Sequence, residues 1–139
     1  MQRNAQLAIE FVMARAKTGP GGLRAIRSVI YPVTDLALAK DFYATAVDRD
    51  PYFDQPFYVG FDIDGQELGL DPDVSARRPG PGGAVAYWRV DDVAETCRRL
   101  GEIGGRLISP PKEVGGGLIM AIVADPFGND VGLITDVDE

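Results

Sequence analysis

The chain has no histidine, a single cysteine and a single tryptophan among its 139 residues. Without histidine it lacks the usual general base, the Ser–His and Cys–His nucleophile pairs, and the commonest transition-metal ligand. Cys97 alone can close no internal disulfide and build no cysteine-based zinc or iron–sulfur site. Basic residues are scarce: 14 Lys and Arg stand against 21 Asp and Glu, for a net charge of −7. That sign opposes binding to duplex DNA or RNA, so nucleic acid is not an expected partner. No run approaches the ~18 apolar residues a membrane span needs, so no membrane partner is expected either. What is present is 45% apolar composition over a length that suits one globular domain with its own core.

Residues 1–24 set Arg3, Arg15, Lys17 and Arg24 against Glu10 alone, a net +3, whereas the other 115 residues carry 10 basic and 20 acidic groups. Asn4 to Lys17 has the periodicity of a helix, ended by Thr18-Gly-Pro-Gly-Gly22. A signal peptide is the competing reading of that run, but Glu10 interrupts it, and a cytoplasmic location is expected. From Arg24 the pattern is strand (24–33), helix (from Thr34 or Asp35 to Val47), strands at 57–61 and 67–71, then a Gly/Pro linker over 75–83. A strand at 84–90 follows, then a helix capped by Asp91 or Asp92, and strands at 106–109, 118–124 and 130–135. Pro110-Pro111 and Gly115-Gly-Gly117 read as a flap or loop between the fifth and sixth of these strands.

The second half repeats the first. Ser28–Ala37 aligns with Val85–Ala94 at an offset of 57, matching Val33/Val90, Asp35/Asp92 and Ala37/Ala94. Asp62–Asp73 aligns with Asp125–Asp136 at an offset of 63, with five identities including Gly65/Gly128 and Gly69/Gly132. Two copies of a βαβββ unit are the simplest account. With the Val-Thr-Asp-Leu and Val-Asp-Asp-Val corners and Asp125-Pro-Phe-Gly-Asn129, the chain resembles the vicinal oxygen chelate superfamily. That group holds glyoxalase I, extradiol dioxygenases, fosfomycin-resistance enzymes and bleomycin-resistance proteins. The resemblance covers about residues 24–139. It implies an α+β fold of two modules, 24–74 and 84–139, whose mixed sheet curls into a half-open cup with helices on the convex side. It also implies a homodimer. Residues 1–23 are expected to form an appended helix and linker outside it.

Metal-dependent members of the superfamily hold a divalent cation inside the cup, on ligands from the first and last strand of each module. Those positions fall here on Ser28, Gly69, Val85 and Gly132. Glycine and valine offer no donor, and a serine hydroxyl is a poor sole ligand, so neither a metal nor another cofactor is expected. Asp71 and Asp130 lie one alternation away and read as solvated rim charges or a weak site for a hard cation. The cup then presents Ser28, Ile30, Gly69, Asp71, Val85, Tyr87, Arg89, Met120, Asp130 and Gly132 as candidate ligand-binding residues. Tyr87 and Arg89 pair an aromatic face with a cationic fork. Tyr52, Phe53, Phe57 and Tyr58 are candidates for pocket wall or core. Asp35 and Asp92 read as helix N-caps, Cys97 and Trp88 as core. Three functions stay open: a metal-free binder of a small, partly aromatic molecule, in the manner of bleomycin-resistance proteins; a metal-independent isomerase or lyase; and a protein-interaction module.

Overall fold

The computed structural model of the protein describes residues 25–75 and 77–135. The helix expected over residues 4–17 lies outside these. The element order is β1 (Ser28–Pro32), α1 (Leu36–Val47), β2 (Phe53–Gln55), β3 (Tyr58–Ile63), β4 (Gln66–Asp71), then β5 (Tyr87–Val90), α2 (Val93–Glu102), β6 (Arg106–Gly115), β7 (Leu118–Ala124) and β8 (Asp130–Thr135). The βαβββ order therefore occurs twice. Each half makes a four-stranded mixed sheet, ordered β1-β4-β3-β2 and β5-β8-β7-β6. In both, the opening strand pairs parallel with the closing strand, Ile30 facing Gly69 and Tyr87 facing Gly132.

Local chemistry explains the boundaries. The Asp35 carboxylate accepts from Leu38 N–H and that of Asp92 from Glu95 N–H, each at 3.0 Å, closing one orphan donor at each helix start. The Glu95 side chain does not complete a capping box; it pairs with Arg98 at 2.5 Å. Asp64 and Gly65 take positive φ in the β3–β4 turn, and Gly128 does so in the turn before β8. Gly65 and Gly128 are the repeat-matched pair, so one backbone demand accounts for both.

The alternation read from sequence holds. Tyr31, Val33, Leu68, Leu70, Val131 and Leu133 are buried with Ala39, Phe42, Tyr43, Val93 and Leu100 of the helices in one core. Trp88, Val90 and Cys97 pack at its edge, and burial pushes the Cys97 thiol up. The repeat-equivalent residues Tyr31 and Trp88 meet there, Trp88 Nε1 lying 3.5 Å from Tyr31 Oη. This contact links β1 and β5, one strand from each half, on the core face.

Three strand expectations need correction. β2 was not anticipated: three exposed residues, Phe-Asp-Gln, carry no alternating signal. β6 runs on to Gly115, through Pro110-Pro111, because an edge strand with register shifts tolerates missing donors. β5 starts only at Tyr87, so Val85 precedes the strand.

Candidate functional site

The halves are joined by the turn Asp125–Asn129, whose two polar side chains are 3% and 4% exposed. Asp125 accepts from Tyr43 Oη (2.8 Å), from the N–H groups of Phe127 and Asn129 (2.9 Å each) and from Asn129 Nδ2 (3.0 Å). Asn129 Nδ2 also donates to the Pro32 carbonyl at 2.9 Å, and Asn129 Oδ1 accepts from Gly80 N–H at 3.0 Å. One buried pair thus ties α1, the end of β1 and the inter-module linker to β8. Burial beside the Asp125 carboxylate pushes the Tyr43 phenol well up. These residues hold the cup's shape; they do not line it with reactive groups.

Both glycines at the metal-ligand positions of the metal-dependent relatives lie under tyrosines. A Cβ at Gly69 would collide with the Tyr58 hydroxyl, with Tyr58 Cζ at 2.6 Å; one at Gly132 would meet the Tyr87 ring at 2.5–2.8 Å. Tyr87 reaches Gly132 straight across the β5–β8 pair, whereas Tyr58 leans over from β3. The other two positions offer no better donor: Val85 is aliphatic, and the Ser28 hydroxyl accepts from Arg27 Nη1 at 3.1 Å. Among the described residues no three His, Cys, Asp or Glu side chains converge on a point that would hold a metal ion. The donor set does not fit the divalent cation of the metal-dependent relatives.

Sequence reasoning overlooked Glu67. It precedes Gly69 by one alternation, so its side chain shares the cup face. Its carboxylate accepts from the hydroxyls of both Tyr52 and Tyr58. These bonds, with the charge of Arg27, hold the Glu67 carboxyl below its usual range. Desolvation first, then the bond to Glu67, push the Tyr58 phenol well up. The readable signal was the alternation Glu67, Gly69, Asp71 on one strand.

The remaining candidates are spread over three hollows. Asp71 lies with Tyr52, Phe53, Phe57 and Tyr58 around an open hollow of about 450 Å³. None of these four aromatics is core: Tyr52 and Phe57 are 62% and 67% exposed. Their rings touch in a tilted and edge-on series, Phe53–Phe57 at 5.9 Å and Phe53–Tyr58 at 6.2 Å between centroids. Ile30 and Asp130 line a second cleft of about 350 Å³ between β1 and the linker. Arg89 is exposed, on the same face as Tyr87 by alternation, and it also borders a hollow of about 200 Å³ with Phe42, Trp88 and Leu133. Met120 is half-buried on β7, two residues from Ile122, which faces Gly132.

The family model described as the Glyoxalase/Bleomycin resistance protein/Dioxygenase superfamily matches residues 25–133. Among solved structures, a glyoxalase-related enzyme from Fulvimarina pelagi is 22% identical over 82% of this chain and 89% of its own, with a TM-score of 0.69. A superfamily member from Sphaerobacter thermophilus is 22% identical over 82% and 98%, TM-score 0.67. A protein from Agrobacterium tumefaciens, solved in solution, is 21% identical over 84% and 100%, TM-score 0.72. At these identities the likeness is one of fold. No curated protein sequence matches the chain.

Proposed function

Given that the chain belongs to the glyoxalase/bleomycin resistance protein/dioxygenase superfamily, we propose that it is a metal-free, cytoplasmic, homodimeric member that binds a small, partly aromatic molecule in its cup without transforming it. The observation that carries this reading is the pair of tyrosines seated on Gly69 and Gly132. They turn two ligand positions of the metal-dependent relatives into aromatic surface, continuous on one side with the exposed rings of Tyr52, Phe53 and Phe57. Exposed rings in a concavity favour planar ligands through stacking and area burial. Ser28, Ile30, Asp71, Val85, Arg89, Met120 and Asp130 supply the surrounding wall in this reading. The edge strand β6 leaves Leu107, Ile108 and Val114 exposed, which suits pairing with a second copy.

A metal-independent isomerase or lyase would need a base in the cup. Glu67 is held below the usual carboxylate range by two phenols, so it is a weak one. The test is thermal unfolding against small aromatic compounds and divalent metals. A ligand at about 100 times its Kd adds about 2.7 kcal/mol of stability, which is several degrees in a domain of this size. Aromatic compounds should raise the melting temperature and Ni²⁺, Mn²⁺ and Zn²⁺ should not. A shift with these metals alone would overturn the proposal, and no shift with any aromatic compound would favour an interaction module.

A further inference from the structure

The linker between the modules carries Arg77 and Arg78, two cations in a chain with a surplus of carboxylates. Both are exposed, and among the described residues neither guanidinium reaches an acidic partner. Both line the cleft of about 350 Å³ together with, among others, Val29, Ile30 and Pro32 of β1, Pro81 of the linker, Ala84 and Ala86 ahead of β5, and Asp130. The lining thus sets two guanidiniums and one carboxylate beside apolar side chains of β1 and the linker.

Its shape is held from inside. Asn129, itself part of the lining, binds Gly80 N–H with its amide oxygen and the Pro32 carbonyl with its amide nitrogen. The buried Asp125 carboxylate fixes Asn129 by accepting from both its backbone N–H and its side-chain Nδ2, and steadies the turn by accepting from Phe127 N–H as well. The linker is thus pinned two residues after Arg78, at one wall of the cleft, with β1 forming the wall opposite. A guanidinium presents its donors in a planar fork that matches a carboxylate or phosphoryl group, and apolar walls beside it accept the rest of the molecule.

We propose that this cleft takes a small organic acid, its carboxylate or phosphoryl group on Arg77 and Arg78 and its apolar body against Ile30 and Pro32. The inference rests on the small-molecule reading above, shares with it the wall residues Ile30 and Asp130, and adds a seat for an anion, against the sign of the chain's overall charge. Four probes of similar size separate the two: benzoate, phenyl phosphate, benzylamine and benzyl alcohol, titrated into the full chain by amide-resolved NMR and calorimetry. Benzoate or phenyl phosphate should bind tighter than the neutral alcohol and shift the Gly80 and Gly82 amides. Whichever acid binds tighter tells a carboxylate source from a phosphoryl one. In Arg77→Ala/Arg78→Ala the Kd for the acids should rise roughly fivefold to tenfold, and that for benzyl alcohol should stay within about twofold. Both side chains are exposed, so the variant should melt with the parent.

Acids that bind no tighter than benzyl alcohol, or equally well to the double variant, overturn the inference and leave aromatic binding intact. Benzylamine binding tighter than both acids does the same. If none of the four probes binds, the small-molecule reading falls with it.

Discussion

If Tyr87 truly occupies the seat above Gly132, adding one carbon beneath it must hurt, and removing the ring must cancel the harm. The Cβ of Gly132→Ala would fall 2.5–2.8 Å from three atoms of the Tyr87 ring, which real contacts do not allow. Tyr87 is 42% exposed, so its ring can swing outward rather than strain the sheet. Uncovering roughly 40–80 Å² of apolar surface at about 25 cal/mol per Å² costs ~1–2 kcal/mol, the lower part of the range for overpacking. In a domain of this size that lowers the melting temperature by about 4–8 °C. In a Tyr87→Ala background the clash is gone. Gly132 does not have positive φ, so the extra methyl should then restrict the unfolded chain and stabilise by ~0.4–1 kcal/mol. The double-mutant cycle should show a coupling near 2 kcal/mol and a reversal of sign. Urea unfolding followed by the fluorescence of the single tryptophan, Trp88, measures all four proteins, with the midpoint moving and the slope constant. A cost for Gly132→Ala that is the same in both backgrounds to about 0.5 kcal/mol would refute the seating of the ring.

Two further outcomes follow from the polar groups. Asp125→Ala should destabilise by ~3–5 kcal/mol, since it strands four donors in or near the core: Tyr43 Oη, Asn129 Nδ2 and two backbone N–H groups. A loss under about 1 kcal/mol in chemical denaturation would show that water replaces the carboxylate and that the turn does not clamp the modules. Glu67 has a folded-state pKa lowered by the phenols of Tyr52 and Tyr58, so the stability it contributes is present above its unfolded value, near pH 4.3, and fades as pH falls through the folded one. Glu67→Gln should therefore flatten the acid limb of a stability–pH curve relative to the parent, and an unchanged limb would mean that the two hydroxyl bonds do not persist in solution.

The fold was legible wherever burial has two sides. Strands β1, β4 and β8 bury one face on helices, so Val29, Tyr31, Leu68, Leu70, Val131 and Leu133 announce which neighbours point away, and Asp35 and Asp92 mark helix starts by their capping chemistry. Edge strands lack that contrast. Every residue of β2 is exposed, as is all of β6 up to Gly115, so neither pattern carries alternation, and Pro110-Pro111 looked like an end when it lies in a register shift of an outer strand paired on one side only. In the site, alternation found the glycines but not what covers them. Tyr87 stands directly across from Gly132, the usual relation of a ring that shelters a strand glycine, and pairing is needed to see it. Tyr58 reaches Gly69 diagonally, from one residue beyond Val59, which pairs with Leu70. Glu67 was visible on the same face, yet its role depends on two hydroxyls, one of which arrives from outside any strand.

The two halves answer the same vacancy with different residues, and that difference bears on recognition. Across the parallel pairs, Ile30 of β1 occupies the place that Tyr87 takes on β5, each opposite the covered glycine. Across the antiparallel pairs, Gly60 faces Gly69 as Ile122 faces Gly132, so Tyr58, two residues before Gly60, corresponds to Met120, two residues before Ile122. Each glycine is thus flanked by one ring and one aliphatic side chain, in opposite order. The acidic and hydroxyl groups are unequal as well: Glu67 and Asp71 belong to the first half, while in the second only Asp130 lies on the corresponding strand face. An arrangement symmetric in backbone but not in side chains gives a ligand one favoured orientation, since turning it about the repeat axis would exchange a ring for an aliphatic chain and a carboxylate–phenol cluster for an apolar wall. If the cup holds a ligand, as proposed, that ligand is itself asymmetric, and a molecule with a two-fold axis should bind no better than its unsymmetrical analogue.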